Sequence, residues 1–272
     1  MIKICCATMV KDEDDIIREW IEYYGKLFSY ENLYIVDNYS TDNTYEICKE
    51  YLDKGIHLSR EHDYKRKGEF MTQIMRSVEC DFFIPIDIDE FIVYYNKTEN
   101  TLESTNILSY FNNLKWSHQT SALFKMNYIG PLRTNNDPIL LKQFTHGTIY
   151  DYGICAKSFL QPSVPHNFNI DHGNHMAYPN YILTELYVIH YHRRSDNQHK
   201  KKLINNVIGL GHHMDLNYLK NVGGVEGQHH IDYAIHMLEN PSASNEPPIQ
   251  IPNSTWISFH KYIDFLIENK IC

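Results

Sequence analysis

The sequence predicts an α/β fold with a mainly parallel central sheet, extended by mixed strands and followed by a helical C-terminal tail. Three observations carry this. Short apolar runs alternate with amphipathic stretches over the first 95 residues, no internal repeat interrupts the alternation, and the most acidic turns follow apolar runs directly. Alternation of that kind means βαβ units, whose crossovers cover both faces of a parallel sheet with helices.

Ile2 to Thr8 reads as the first strand. Asp12, Glu13, Asp14 and Asp15 then put negative charge where a helix N-terminus favours it. Ile16, Ile17, Trp20, Ile21, Tyr24, Leu27 and Phe28 recur at spacings of three and four, one apolar stripe along a helix. Leu33 to Val36 is a second strand ending in Asp37-Asn38, and a polar turn over Ser40 to Asn43 opens a helix carrying Ile47, Cys48, Tyr51 and Leu52. Gly55 closes that helix, Ile56 to Leu58 is a brief strand, and Phe70, Met71, Ile74, Met75 and Val78 mark a third helix. Phe82 to Ile86 is a buried strand running into Asp87-Ile88-Asp89-Glu90. Beyond residue 100 the pattern predicts a helix near 102–113, strands near 120–128, 138–144 and 149–160, a strand over 181–191 and a basic helix over 195–207. Residues 240–254, rich in Pro, Ser and Asn, read as a linker before a last short helix.

Charge and composition narrow the function. The 272 residues hold 25 Lys and Arg against 34 Asp and Glu, a net charge of −9, which excludes nucleic-acid binding through a broad basic face. A hydrophobic share of 43% and an aromatic share of 13% predict a sizeable core without disulfide staples. Six cysteines are scattered without a CxxC, and Cys5 and Cys6 adjoin in a predicted strand, a pattern that suits a reducing compartment. Neither a secretory leader nor a long apolar span is legible, so a cytoplasmic setting, in a bacterium or a virus-infected cell, and no membrane insertion are expected. The sixteen histidines fall in no tight zinc spacing and read mostly as surface or packing residues.

Ligands of open parallel sheets lie beyond the carboxyl ends of the strands, where Thr8 to Lys11, Asp37-Asn38 and Asp87 to Glu90 all fall. Two carboxylates one residue apart at a strand exit suit a hard cation, Mg²⁺ or Mn²⁺, working against substrate phosphates. An isolated Asp-x-Asp is usually a solvated acidic turn. Its place after a strand, with Asp37 ending another strand on the same edge, favours a metal and nucleotide site.

Three segments carry a resemblance: Lys11-Asp12-Glu13-Asp14-Asp15-Ile16-Ile17-Arg18-Glu19-Trp20, Val36-Asp37-Asn38-Tyr39-Ser40-Thr41-Asp42-Asn43-Thr44, and Ile86-Asp87-Ile88-Asp89-Glu90-Phe91. In this order they resemble the family 2-like and family 92 glycosyltransferases, and Gln143-Phe144-Thr145, Lys157-Ser158, His172 and His190-Tyr191 continue the likeness more weakly to about residue 210. The resemblance implies a GT-A fold over 1–210, with a nucleotide-sugar-binding half over 1–100 and an acceptor-side half over 101–210, and leaves 211–272 as a helical extension. It implies transfer of a sugar from a nucleotide sugar, usually a UDP-sugar, to a glycan or other hydroxyl acceptor, with Mn²⁺ or Mg²⁺. Thr8 and Lys11 would line the nucleotide pocket, Asp37 would bind the base, Asp87 and Asp89 would form the metal motif, and His190 would return as a further ligand. Asp87 would also be partly a ribose partner, Lys157 and Arg194 would offset diphosphate charge, and Gln73 would touch the nucleotide. Gln161 stands where relatives carry arginine, and Tyr24 where they carry histidine.

An inverting transfer needs a general base at the acceptor hydroxyl, for which Asp171 and Asp151 are the candidates. Two rival functions remain at this level. A nucleotidyltransferase of related fold would show a glycine-rich basic loop after the first strand, and Thr8 to Asp15 holds no glycine and one lysine. A non-catalytic carbohydrate-binding protein would have no use for the complete Asp-x-Asp motif.

Overall fold

The structure, a computed structural model, describes residues 2–117, 122–132, 140–150, 157–163, 168–175, 181–192, 194–225, 227–240 and 255–271. Its first third is the alternation predicted. Strands β1 (Ile4–Val10), β2 (Leu33–Asp37), β3 (His57–Arg60) and β4 (Phe82–Pro85) pair in parallel in the order β4-β1-β2-β3. Helices α1 (Ile17–Phe28), α2 (Thr44–Lys49) and α3 (Lys67–Ser77) are their crossovers. Val10 pairs with Asp37 and Asp37 with Arg60, so the carboxyl ends of these strands finish level.

The remaining strands are β5 (Glu90–Asn96), β6 (Thr101–Glu103), β7 (Leu123–Pro131), β8 (His146–Tyr150), β9 (Lys157–Leu160), β10 (Tyr181–His190) and β11 (Ile257–Ser258). Helices α4 (Ile107–Ser117), α5 (Asp196–Gly209), α6 (Leu216–Lys220), α7 (Gln228–Glu239) and α8 (His260–Glu268) are the remaining described α-helices. The sheet is mixed, which corrects the expectation of a mainly parallel one: β9 runs antiparallel to β4 and β7, β10 antiparallel to β5, and β7 parallel to β10. The reason is connection length. A parallel return needs a dozen or more residues, and the four-residue link from β5 to β6 allows only a hairpin. Pairings β5–β6, β6–β11, β11–β8, β8–β7 and β7–β10 lead back to β5, so these strands close into a ring beside the parallel part.

Other departures are local. Residues 101–103 are strand β6 and α4 starts at Ile107, where a helix from 102 was predicted. The described part of the 138–144 strand is a 3-10 turn over Leu141–Gln143, and the strand over 149–160 is two, β8 and β9. The predicted linker lies, from residue 241 on, outside the described residues. The tail is not purely helical: β11 enters the sheet, and Ile257, Phe259, Tyr262 and Leu266 join the core cluster that holds β1 and α1.

Helix α1 anchors the start of β5. Its stripe of Ile17, Trp20, Ile21, Tyr24, Leu27 and Phe28 is buried as the periodicity predicts, and two tyrosines fix it to that strand. The Tyr23 hydroxyl donates to the Ile92 carbonyl at 2.5 Å; the Tyr24 hydroxyl donates to the Glu90 carbonyl at 2.9 Å and accepts from the Ile92 N–H at 3.0 Å. Burial raises both phenols well above their ordinary pKa, so they stay neutral donors. Replacing Tyr24 by Phe leaves a buried N–H and C=O without this partner, and a loss of about 1–3 kcal/mol in denaturant unfolding is expected.

Candidate active site

The carboxyl edge of β1 and β2 is tied together first. Lys11 Nζ donates to the carbonyls of Asn38 and Tyr39 at 2.9 and 3.0 Å. Asp12, at φ +53°, accepts the Thr41 amide at 2.5 Å, and Tyr39 also adopts a positive φ of +51°. Non-glycine residues in this region are uncommon and cluster at functional sites. Asp37 is buried and accepts Arg60 Nε at 2.8 Å, and the Arg60 guanidinium lies over the Tyr39 and Tyr45 rings at 4.5 and 4.0 Å. The Tyr39 ring stacks on His62 with centroids 3.4 Å apart.

The turn between β4 and β5 separates its two aspartates. Asp87 pairs with Lys67, at the start of α3, and with Lys157 of β9 at 2.7 Å. Lys157 also reaches Glu90 at 3.3 Å and donates to the Gly173 carbonyl at 2.6 Å; Tyr128 donates to Glu90 at 3.1 Å. Burial opposes charge on Asp87, but Lys157 and Lys67 hold its carboxyl well below the usual carboxylate range. The 171–175 loop closes over this group: Asn174 donates to Asp87 at 3.4 Å, and a Cβ at Gly68 would lie 2.3 Å from the Ile170 carbonyl oxygen, so only glycine lets α3 approach.

Asp89 faces a different set. It is fully buried, and its Oδ2 binds Lys202 of α5, with His190 Nε2 at 3.3 Å and His192 Nδ1 and an Arg194 nitrogen each at 4.0 Å. Among the described residues its Oδ1 has no hydrogen-bond partner. Lys202 and His190 outweigh burial and hold the carboxyl well below its ordinary value, whereas burial pushes the His192 imidazole far down, so that ring is neutral with a lone pair available. Asp89, His190 and His192 offer ligand atoms all within 4.8 Å of one another.

The acids after β1 belong to this site and not to the first turn of α1, which starts only at Ile17. Glu13 and Asp15 grip Arg194, the latter at 2.8 Å, and Asp14 lies 3.5 Å from Lys201. Gln198, Lys201, Lys202 and Asn205 share one face of α5, and each reaches Asp12, Asp14, Asp15 or Asp89. Around the turn, Glu13, Asp15, Asp87, Asp89 and Glu90 outnumber Lys67, Lys157, Arg194 and Lys202 by one negative charge.

The structure therefore brings together Asp89 and His190, adds His192 and Lys202, and turns Asp87 toward lysines. Lys157 and Arg194 are buried and spent on carboxylates. Thr8 is buried within β1 and its hydroxyl has no partner among the described residues. Gln73 is exposed on α3 and donates to Glu69 at 3.0 Å. Asp171 is exposed and accepts the His175 amide at 2.8 Å; Asp151 lies outside the described residues. His192 had a signal in the sequence, since residues two apart at a strand end project to one side. Lys202 had none within its run of three lysines.

The sequence model of glycosyltransferase family 92 matches residues 1–222. No curated protein matches. Among solved structures, S. aureus TarS 1–349 is 12% identical, with a TM-score of 0.46 over 93% of this chain and 76% of that one. Its complex with UDP is 13% identical, with a TM-score of 0.45 over the same shares. Glucosyl-3-phosphoglycerate synthase from Mycobacterium tuberculosis, with Mn²⁺ and UDP-glucose, is 16% identical with a TM-score of 0.33; 46% of this chain aligns, spanning 43% of that one.

Proposed function

This chain belongs to glycosyltransferase family 92 and is a glycosyltransferase; from that premise we propose that its acidic edge binds a UDP-sugar with a divalent cation and passes the sugar, with inversion, to a hydroxyl of a glycan acceptor. The nucleotide would lie over the ends of β1 and β2, with the base toward Asp37, in a GT-A arrangement over residues 1–210.

The observation that carries this reading is the Oδ1 of Asp89, without a partner among the described residues and buried beside two imidazoles. An unsatisfied buried carboxylate oxygen costs free energy, and a bound cation would remove that cost. One carboxylate and two imidazoles suit Mn²⁺ better than Mg²⁺, which prefers oxygen ligands. Asp89, His190 and His192 would hold the ion, which supplies Lewis-acid stabilisation of the charge developing on the departing diphosphate.

The chain's own groups do the rest. Lys67 and Lys157 keep Asp87 ionised and fixed, and Arg194 neutralises Glu13 and Asp15 so that the turn before α1 stays packed. Lys202, paired with Asp89 Oδ2 but 17% exposed at the end of a flexible side chain, would turn from Asp89 to the diphosphate once a cation occupies that carboxylate. We assign the general base to Asp171, the exposed carboxylate of the loop that closes over Asp87.

A thermal-shift series tests the reading. UDP with Mn²⁺ at about a hundred times its Kd is expected to raise the melting temperature by roughly 5 °C, by linkage to the folded state. UDP without metal gives a smaller rise, and Asp89→Asn abolishes the difference. Equal shifts with and without Mn²⁺ in the unaltered chain would overturn the metal assignment.

A further inference from the structure

Three segments that feed the Asp87–Asp89 site also wall a second cavity. Lys65 stands two residues before Lys67, which binds Asp87; His172 precedes Gly173 and Asn174, which bind Lys157 and Asp87; and Leu210 and His212 follow α5, which carries Lys202. With Val225 they line a space of about 290 Å³, just below the usual range for ligand pockets. The segments pack directly on one another. The Tyr64 ring meets His172 edge-on at 4.7 Å, a Cβ at Gly209 would touch Tyr64 at 3.0 Å, and Lys65 Nζ would lie 3.0 Å from a Cβ at Gly211.

The lining is cationic and imidazole-rich in a chain of net charge −9. Asp63 accepts the Lys65 backbone N–H at 3.1 Å, but among the described residues no carboxylate pairs with the Lys65 ammonium. His212 lines the cavity, and its Nδ1 lies 3.0 Å from the Tyr218 hydroxyl, a contact that orients the ring. Leu210 and Val225 supply apolar walls suited to the C–H face of a sugar. An ammonium beside two imidazole side chains favours an anion, and the aliphatic walls favour what carries it.

We propose that this cavity is the acceptor subsite and that the acceptor is a polyol or sugar bearing an anionic group, phosphate or carboxylate, which Lys65 and His212 bind. The proposal rests on the donor reading above, because it takes the shared walls to set acceptor beside donor. His172 then lies against the acceptor, next to the base candidate Asp171.

The test uses the full chain with UDP and Mn²⁺ and calorimetric titration of glucose 6-phosphate, glucuronate and glucose. Glucose 6-phosphate or glucuronate is expected to bind at least tenfold more tightly than glucose, the better of the two identifying the anion. Lys65→Met lowers that affinity about tenfold and Lys65→Arg restores most of it, while the melting shift given by UDP is the same in all three proteins. Equal affinity for charged and neutral sugars, or undiminished affinity in Lys65→Met, would overturn the subsite. A Lys65-dependent response to the anions with no UDP shift would overturn the donor reading and leave the anion site standing.

Discussion

Replacing Asp89 by Asn is expected to lower sugar transfer by about 10²–10³-fold in kcat/KM while the chain stays folded. The size follows from removing one preorganised electrostatic group from a water-poor site. Asparagine keeps the shape and one acceptor oxygen, so packing against β10 is retained. It removes the charge that organises Lys202, His190 and His192 about one carboxylate. Lys202 loses its counter-ion but is 17% exposed and can turn to water, which limits the loss of stability. Turnover of a UDP-sugar with Mn²⁺ and thermal unfolding should be measured on the same preparation. Activity within threefold of the unaltered protein would show that the departing diphosphate is stabilised elsewhere. The matching Asp87→Asn change is expected to weaken activity less and to act through its contacts with Lys67 and Lys157.

What the sequence disclosed and what it hid divide along a physical line. The βα alternation, the stripe of α1 and the acidic strand ends were legible because apolar periodicity is written locally. The family resemblance was legible in three ordered segments and is matched over residues 1–222. The ring of strands from β5 to β11 was not, because pairings between strands far apart in the chain leave no periodic trace. Helix α5 was legible as a basic helix, but what it docks on was not. Its face of Gln198, Lys201, Lys202 and Asn205 meets Asp12, Asp14, Asp15 and Asp89. A polar face turned inward by complementary charge cannot be told from a polar face turned to water until both partners are placed. The same holds for the acids at 12–15, whose position suggested a helix terminus and whose partners are the Arg194 and Lys201 side chains and the Thr41 amide.

Arg194 is where that hidden docking is most exposed to test. Its guanidinium is 3% exposed and holds Glu13 and, through two nitrogens, Asp15 at 2.8 and 2.9 Å. Arg194→Ala leaves Glu13, itself 5% exposed, without its directly bonded cation and with Lys202 alone acting on it, and a destabilisation of about 3–5 kcal/mol in denaturant unfolding is expected. Lysine cannot reproduce the two-nitrogen grip, so Arg194→Lys should recover only part of the loss. A pH series separates this cause from simple loss of packing. Burial already raises the Glu13 pKa against the pull of Arg194, and without the arginine it rises further. The folded state then binds a proton that the unfolded chain does not, so the stability of Arg194→Ala should increase as pH falls from about 7 toward 5. The unaltered protein, with Arg194 in place, should show a much smaller gain over the same window. A deficit in Arg194→Ala that stays constant from pH 7 to 5 would mean that the arginine acts through its packing and its bond to the Tyr191 carbonyl at 3.2 Å, not through the Glu13 charge.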